Sequence, residues 1–401
     1  MTAALYLYDD PADRPRFEPF SLSRPLGELR HGAFLLRERW EDTLGRPVEA
    51  HLSAEHLRDF VEPDAPGVAR HPDATLEPRY VFRSTFVPAP DFTADLPDHP
   101  VRFVDEQGRT VGAGLPEGTA WPGLPVPAEW PGTGVAGRLL EGVWELVGLL
   151  SAALRADLEV LRERHESGVP DGATVLGDPS LVMAAGAMVE PHVVFDVRGG
   201  PVWLDSGVEV RAGTRLGGPL VVGAHSRVLG GQLRESAVGP RCNVNGEVSN
   251  CLFLGYANKA HDGFLGHAVV GRWVNLGAGT INSNLKNTYG PVRLHLGGER
   301  VETGLTFLGA MIGDHVKTAI GTMLPTGCVI GTGANLFGTR RPEALVPPFA
   351  WGTDEPHSVL QCRAFLETAR RVLPRREVPC DEQTLRYLSA LWSAATGSPC
   401  D

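Results

Sequence analysis

Apolar positions in the middle of the chain recur every sixth residue. One run is Leu176, Val182, Met188 and Val194; a second is Leu204, Val210, Leu216, Val222 and Val228. Val238 and Val244 continue in a shifted frame, Val270 and Leu276 follow, and a last run holds Ile312, Leu324, Ile330 and Leu336 with Thr318 in the missing slot. A glycine often comes next, as at Gly217, Gly223, Gly271, Gly277, Gly313 and Gly331. A helix repeats every ~3.6 residues and a strand every ~2, so neither sustains such a period. A parallel β-helix does. Each hexad makes one short strand and a turn, three hexads close a triangular coil, and stacked coils bury a continuous aliphatic core. The register lapses over 245–265 and 283–308, which read as loops thrown out from the coil, where repeat proteins often place a functional face.

The flanking regions follow other periods. Leu5–Asp10 reads as a short buried strand, followed by a Pro- and Arg-rich loop and then a helix over Gly32–Leu44. A Pro-rich stretch, 63–131, carries strand-like pieces at Tyr80–Phe82 and Val101–Val104 and a hairpin turn at Gln107–Gly108. Leu139, Leu140, Val143, Leu146, Val147, Leu150 and Leu154 fall at helical spacing in a segment, Val135–His165, that ends before Gly168-Val-Pro-Asp-Gly172. After the coil, helices are expected over Leu360–Val372 and Asp381–Trp392, with Asp381 as N-cap. They read as a cap on the last coil. The chain thus divides into an α/β domain (1–168), an all-β parallel β-helix (169–345) and a C-terminal helical extension (346–401).

Composition narrows the function. The 401 residues carry a formal charge of −11, which supplies no basic field for nucleic acid. No apolar run approaches the ~18 residues of a membrane span and no signal pattern opens the chain, so a cytoplasmic protein with no membrane partner is expected. The 6 cysteines form no C-x-x-C pair, and a reduced set is the expectation.

Strand, basic loop and helix at the N-terminus form an arrangement that can hold a phosphate, with Arg16 and Arg24 as candidate contacts. The densest chemistry lies in Lys259-Ala-His261-Asp-Gly-Phe264-Leu-Gly266, followed by Val274-Asn275-Leu-Gly-Ala278 and by Asn284. A histidine is suited to take a proton near neutral pH, and amide side chains can hold sugar hydroxyls or orient the base.

These motifs, on a hexapeptide coil behind an α/β domain, resemble the bifunctional N-acetylglucosamine-1-phosphate uridyltransferase/glucosamine-1-phosphate acetyltransferase family, of GlmU type. The resemblance implies a short Rossmann-like, nucleotidyltransferase-type N-terminal domain and a left-handed β-helix that trimerises and builds an acetyl-CoA-dependent site between subunits. By position it implies His261 as general base, Asn275 and Asn284 around the sugar and catalytic centre, and Glu247 at a matching acidic position; Lys259 is a candidate substrate contact, with Lys286 and Tyr289 as alternatives, in place of the family's phosphate-contacting lysine. Ala278 falls beside acetyl-CoA. A sugar phosphate or nucleotide sugar is the implied substrate, and Mg²⁺ the implied metal of the N-terminal domain. The chain departs from the family in five places. Phe264 and Leu285 stand where the family has tyrosines, Ser249 stands at a phosphate-contacting lysine, and Arg83-Ser84 stands where a metal-binding aspartate belongs. The G-x-G-T-R loop is absent. A second reading is therefore a catalytically impaired trimeric scaffold that binds or senses a nucleotide sugar.

Overall fold

The computed structural model describes residues 3–69, 77–95, 98–353 and 358–400. The N-terminal region is a mixed seven-stranded sheet. Its central strand, Ala4–Tyr8, pairs in parallel with Ala50–Leu52 on one side and Arg79–Arg83 on the other. Arg79–Arg83 then pairs antiparallel with Thr110–Leu115, which turns back on Val101–Val104 through the expected hairpin. Helix α1 (Leu36–Leu44) lays fully buried Trp40 on Phe82, ring centroids 3.9 Å apart. The long helix expected from Val135 starts later, as α2 (Glu145–Gly148) and α3 (Leu150–Arg164). The reason is local: Gly137 has φ 153°, and Gly137–Leu139 pairs with Phe86–Pro88 as strand.

From Thr174 to Trp351 the chain coils into a parallel β-helix with nine-, ten- and six-stranded faces, the tenth strand of the second face being Ser358–Val359, which pairs antiparallel with Ala350–Trp351 just past the coil. Parallel strands stack rung on rung, and the aliphatic residues of the hexads turn inward as one core. The period slips at its start: Met188 is 61% exposed, while Val189 and Phe195 face in. Strand side chains alternate, so a shift of one residue exchanges inside for outside.

Rung length explains the shifted frame. A rung of three hexads takes 18 residues, as from Val202 to Leu220 (220 − 202 = 18). Ala237 to Leu252 takes 15 and Leu252 to Val269 takes 17. The segment 245–265, expected as a loop, therefore stays in the coil as shorter rungs. The segment 283–308 does leave it. There the hairpin Arg293–Leu296/Glu299–Glu302 buries Leu294 and Leu296 against Phe17 and Phe20 of the N-terminal region.

The outer side of the nine-stranded face is apolar (Val221, Leu252, Val269, Met311, Val329), and the N-terminal region with α3 packs along it. Helices α4 (Cys362–Val372) and α5 (Glu382–Thr396) begin close to the expected positions, and Asp381 caps α5 by accepting the Thr384 N–H at 2.9 Å. They cover more than the last rung, packing on Tyr256 and Trp273 as well as Phe349, and on Leu57 and Phe60 of the N-terminal region. Cys362 and Cys400 are joined as a disulfide, Cα atoms 5.6 Å apart, which corrects the expectation of a wholly reduced set. Among the described residues no helix is long and apolar enough to cross a membrane.

A buried ion cluster fastens these parts together. The Arg24 guanidinium, fully buried, donates to Glu62 (2.8 and 2.9 Å) and to Asp314 of the β-helix (2.7 and 3.0 Å). Arg272 adds a second cation on Glu62 at 2.9 Å. Burial opposes the charge on Arg24, but Asp314 and Glu62 outweigh it and hold the pKa above its usual value. Removing one partner of a buried pair strands the other's charge and typically costs about 3–5 kcal/mol. Asp314→Asn is therefore expected to lower unfolding stability by about 2–4 kcal/mol, measured by urea titration. A loss under about 0.5 kcal/mol, the usual size for an exposed pair, contradicts a fastening role.

Candidate functional site

The site grows out of a change in rung length. On the ten-stranded face Val244 pairs with Lys259, an offset of 15 (259 − 244). On the six-stranded face just beyond, Glu247 pairs with Phe264, an offset of 17 (264 − 247). Two extra residues must therefore leave the coil at the corner between these faces. They fall between Ala260, whose carbonyl accepts from Asn245 at 3.3 Å, and Gly263, which lies over Gly246. They are His261 and Asp262, both exposed. Among the described residues the His261 ring has no hydrogen-bond partner, so its nitrogens are open to an incoming group.

The next rungs repeat the longer corner. The backbone carbonyl of Asp262 accepts the Gly279 N–H at 3.0 Å, and that of Ala278 accepts the Gly321 N–H at 2.7 Å. The register then puts His261, Ala278 and Ile320 in one column at successive levels. Ile320 is 80% exposed, and Ile281 (38%) pairs with Met323 (56%) alongside. An exposed histidine thus borders an exposed apolar strip.

The other sequence candidates divide. Glu247 lies half-buried beside Phe264 on the same face. Asn275 is outside, its Oδ1 accepting from Asn258 at 2.9 Å in a ladder that continues to Asn243. Asn284 is placed with His267: its Nδ2 donates to Nδ1 of that ring at 2.9 Å, and the ring stacks on Phe307. Lys259 occupies an inward hexad position, 2% exposed, its ammonium committed to the carbonyls of Asn245 (2.7 Å) and His261 (2.9 Å). Burial lowers its pKa to about 8. It fixes the carbonyl of His261 and presents no open charge. Asn282, not singled out from the sequence, also points inward and bonds both N–H and C=O of Gly266 (2.7 and 2.8 Å). Its signal was its place in the hexad frame six residues after Leu276.

In the N-terminal region a cleft of about 600 Å³ opens at the carboxyl ends of Ala4–Tyr8, Ala50–Leu52 and Val68–Ala69, where open α/β sheets bind ligands. Asp9, Arg14, Ser53 and Arg58 line it. Arg14 and Ser53 were missed from the sequence, although the strand-end rule points to the loop after the first strand. The expected phosphate contacts are elsewhere. Arg24 lies in the buried cluster, where two carboxylates leave no room for a phosphate, and this is a correction. Arg16 lies over the Trp144 ring at 4.9 Å and donates to the Glu141 carbonyl.

The carboxylates near this cleft are already engaged. Both oxygens of Asp9 accept the Leu26 N–H (3.1 and 3.0 Å), and Ser53 bonds one of them at 2.5 Å. Arg83, at the end of its strand, pairs with Asp13 and, at 3.4 Å, with Asp10. Among the described residues no group of three or more His, Cys, Asp or Glu is placed to hold a metal. A guanidinium standing where a metal-binding carboxylate belongs does not fit a Mg²⁺ site.

His267 supplies a pH test of this geometry. Burial, then the charge of Arg234, lowers its pKa from 6.5 to about 4. The fold favours the neutral ring, so the unfolded chain takes the proton first as pH falls, and stability drains away between pH 6.5 and 4. The variant His267→Gln is expected to lose stability less steeply over that window in parallel urea titrations. Curves of equal slope contradict the burial of this ring.

Comparisons with known proteins cover parts of the chain. Residues 5–166 match the family model for sugar nucleotidyl transferase. A bifunctional sugar-1-phosphate nucleotidylyltransferase/acetyltransferase of Sulfurisphaera tokodaii is 33% identical over 91 residues, 23% of each chain. The bifunctional protein GlmU of Nitrosospira multiformis is 24% identical over 231 residues, 51% of this chain and 47% of its own. Against these two relatives the chain spans less than half of their length. Among solved structures, LpxA of Bacteroides fragilis, a UDP-N-acetylglucosamine acyltransferase, aligns over 55% of this chain and 95% of its own at 12% identity with a TM-score of 0.17, a likeness that bears on neither fold nor function. The N-terminal region is thus similar to sugar nucleotidyl transferases, and about half of the chain is similar to a bifunctional GlmU protein.

Proposed function

We propose that the chain is a sugar-nucleotide enzyme whose β-helix transfers an acetyl group from acetyl-CoA to the amine of an amino-sugar phosphate, with His261 as general base. The observation that carries this reading is the corner itself: an exposed, unpartnered histidine on a two-residue bulge, one rung from Ala278 and beside an apolar strip. In the reaction the amine nitrogen attacks the thioester carbon, the carbon–sulfur bond breaks, and coenzyme A leaves as the thiol. His261 takes the proton that the amine sheds and can return it to the departing sulfur. Ala278, lacking a bulky side chain, leaves room along the corner for a pantetheine arm. Glu247 and Asn275 are assigned to the sugar on the neighbouring faces, and Asn284 acts through His267.

Ile281, Ile320 and Met323 support a homotrimer, because an apolar strip of this kind is covered in a stable assembly. A second copy packed there closes the groove over His261. We place the protein in the cytoplasm. The N-terminal cleft is assigned to a sugar phosphate or nucleotide sugar. One observation favours binding there without nucleotidyl transfer: Arg83 neutralises the carboxylates that a metal needs.

Thiol release from acetyl-CoA with glucosamine-1-phosphate and related amino-sugar phosphates tests the proposal. His261→Ala is expected to lower kcat by about 10²–10⁴-fold with little change in KM. No turnover on any such acceptor, or equal kcat in the variant, contradicts it. Ile320→Glu is expected to shift the sedimentation coefficient from trimer toward monomer, and an unchanged coefficient contradicts the assigned interface.

A further inference from the structure

A crevice of about 820 Å³ runs between the N-terminal region and the β-helix, and it shares no lining residue with the cleft at the strand ends. One wall is apolar, built from Val87, Val160, Val221 and Val238, with Phe34 and Trp203 among the larger side chains. The other wall carries Arg30, His31 and Arg39.

Hydrogen bonding on that second wall is unbalanced. Arg30 is half-buried, donates to the Ala33 carbonyl and forms no ion pair among the described residues, while its Nε has no partner there. His31 is 7% exposed, and neither ring nitrogen has a partner. The Nε of Arg39 is likewise unpartnered, although its Nη2 bonds Asp157 at 2.7 Å. The acids of the crevice are already engaged. Asp157 accepts from Arg39 and the Ala33 N–H, Asp42 pairs with Arg164, Glu41 with Arg37, Glu38 accepts the Leu35 N–H, and Asp205 accepts the Ser206 N–H. Every buried orphan atom in this wall is therefore a nitrogen. Burial lowers the pKa of Arg30 against the opposing pull of the Glu38 charge, and burial followed by the Arg39 and Arg138 charges takes His31 to about 3, so the ring is neutral and offers one N–H. A half-buried guanidinium whose Nε is left unbonded is under-satisfied in the free protein and gains from an incoming oxyanion.

We propose that this crevice binds an anionic small molecule with an apolar or aromatic body, its phosphate or carboxylate on Arg30 and His31 and its body on the valine wall. The site is independent of both sites assigned above.

Calorimetry of the full chain with phenyl phosphate, benzoate and inorganic phosphate tests this. At least one aromatic anion is expected to bind saturably and at least ten-fold tighter than inorganic phosphate, and the better of the two identifies the headgroup. Arg30→Met is expected to weaken that binding ten-fold or more, whereas Arg58→Gln in the other cleft leaves it unchanged. The same Arg30→Met variant, free of ligand, is expected to melt close to the parent, because Arg30 gives up one bond to the Ala33 carbonyl and, among the described residues, no ion pair. Three results overturn the proposal: no binding of either aromatic anion, equal binding by Arg30→Met, or loss of binding only in Arg58→Gln. A drop of several degrees in Tm with binding retained assigns Arg30 to structure and overturns it as well.

Discussion

Stacking of one rung on the next constrains everything else in this molecule. Each strand pairs in parallel with those above and below, so inward positions are fixed along whole faces and length can change only at corners. An inward aliphatic residue contributes about 1.5–3 kcal/mol when fully buried, and a slip of one residue forfeits that along the strand. Changes in rung length therefore appear as bulges or excursions at corners. The two-residue excess after Ala260 sets His261 outside, and the 42-residue step from Val269 to Met311 (311 − 269) lets out the hairpin that clasps the N-terminal region.

Polar groups sit where that constraint allows. Lys259, Asn282 and Thr318 occupy inward positions near the functional corner, and each is bonded to backbone or to another side chain. This polar lining holds the carbonyls and N–H groups of the corner, which orders the segment carrying His261. Between the parts of the molecule the buried cluster of Arg24, Glu62, Arg272 and Asp314 has a comparable role, because it pairs two positive with two negative charges across the interface.

Much of this was legible in the sequence. The period of six identified the coil, and the lapse at 283–308 marked the excursion. The lapse at 245–265 was misread because a rung of 15 residues breaks the period without leaving the coil. Arg24 was misassigned for another reason: an arginine in a basic loop looks the same whether its acceptor is a phosphate or a carboxylate 290 residues away. Lys259 looked like a ligand contact because its side chain is charged, yet its place among inward hexad positions already implied burial. Pairings such as Asn284 with His267 arise from an offset of one rung, which only the fold reveals.

The most direct test of the central claim is a structure of the assembled protein with coenzyme A. The pantetheine arm is expected to lie along the column of His261, Ala278 and Ile320, with the sulfur within hydrogen-bonding reach of the His261 ring and a second copy covering Ile281 and Met323. Coenzyme A bound elsewhere, or a His261 corner left facing open solvent in the assembly, contradicts an acyltransferase site at this corner.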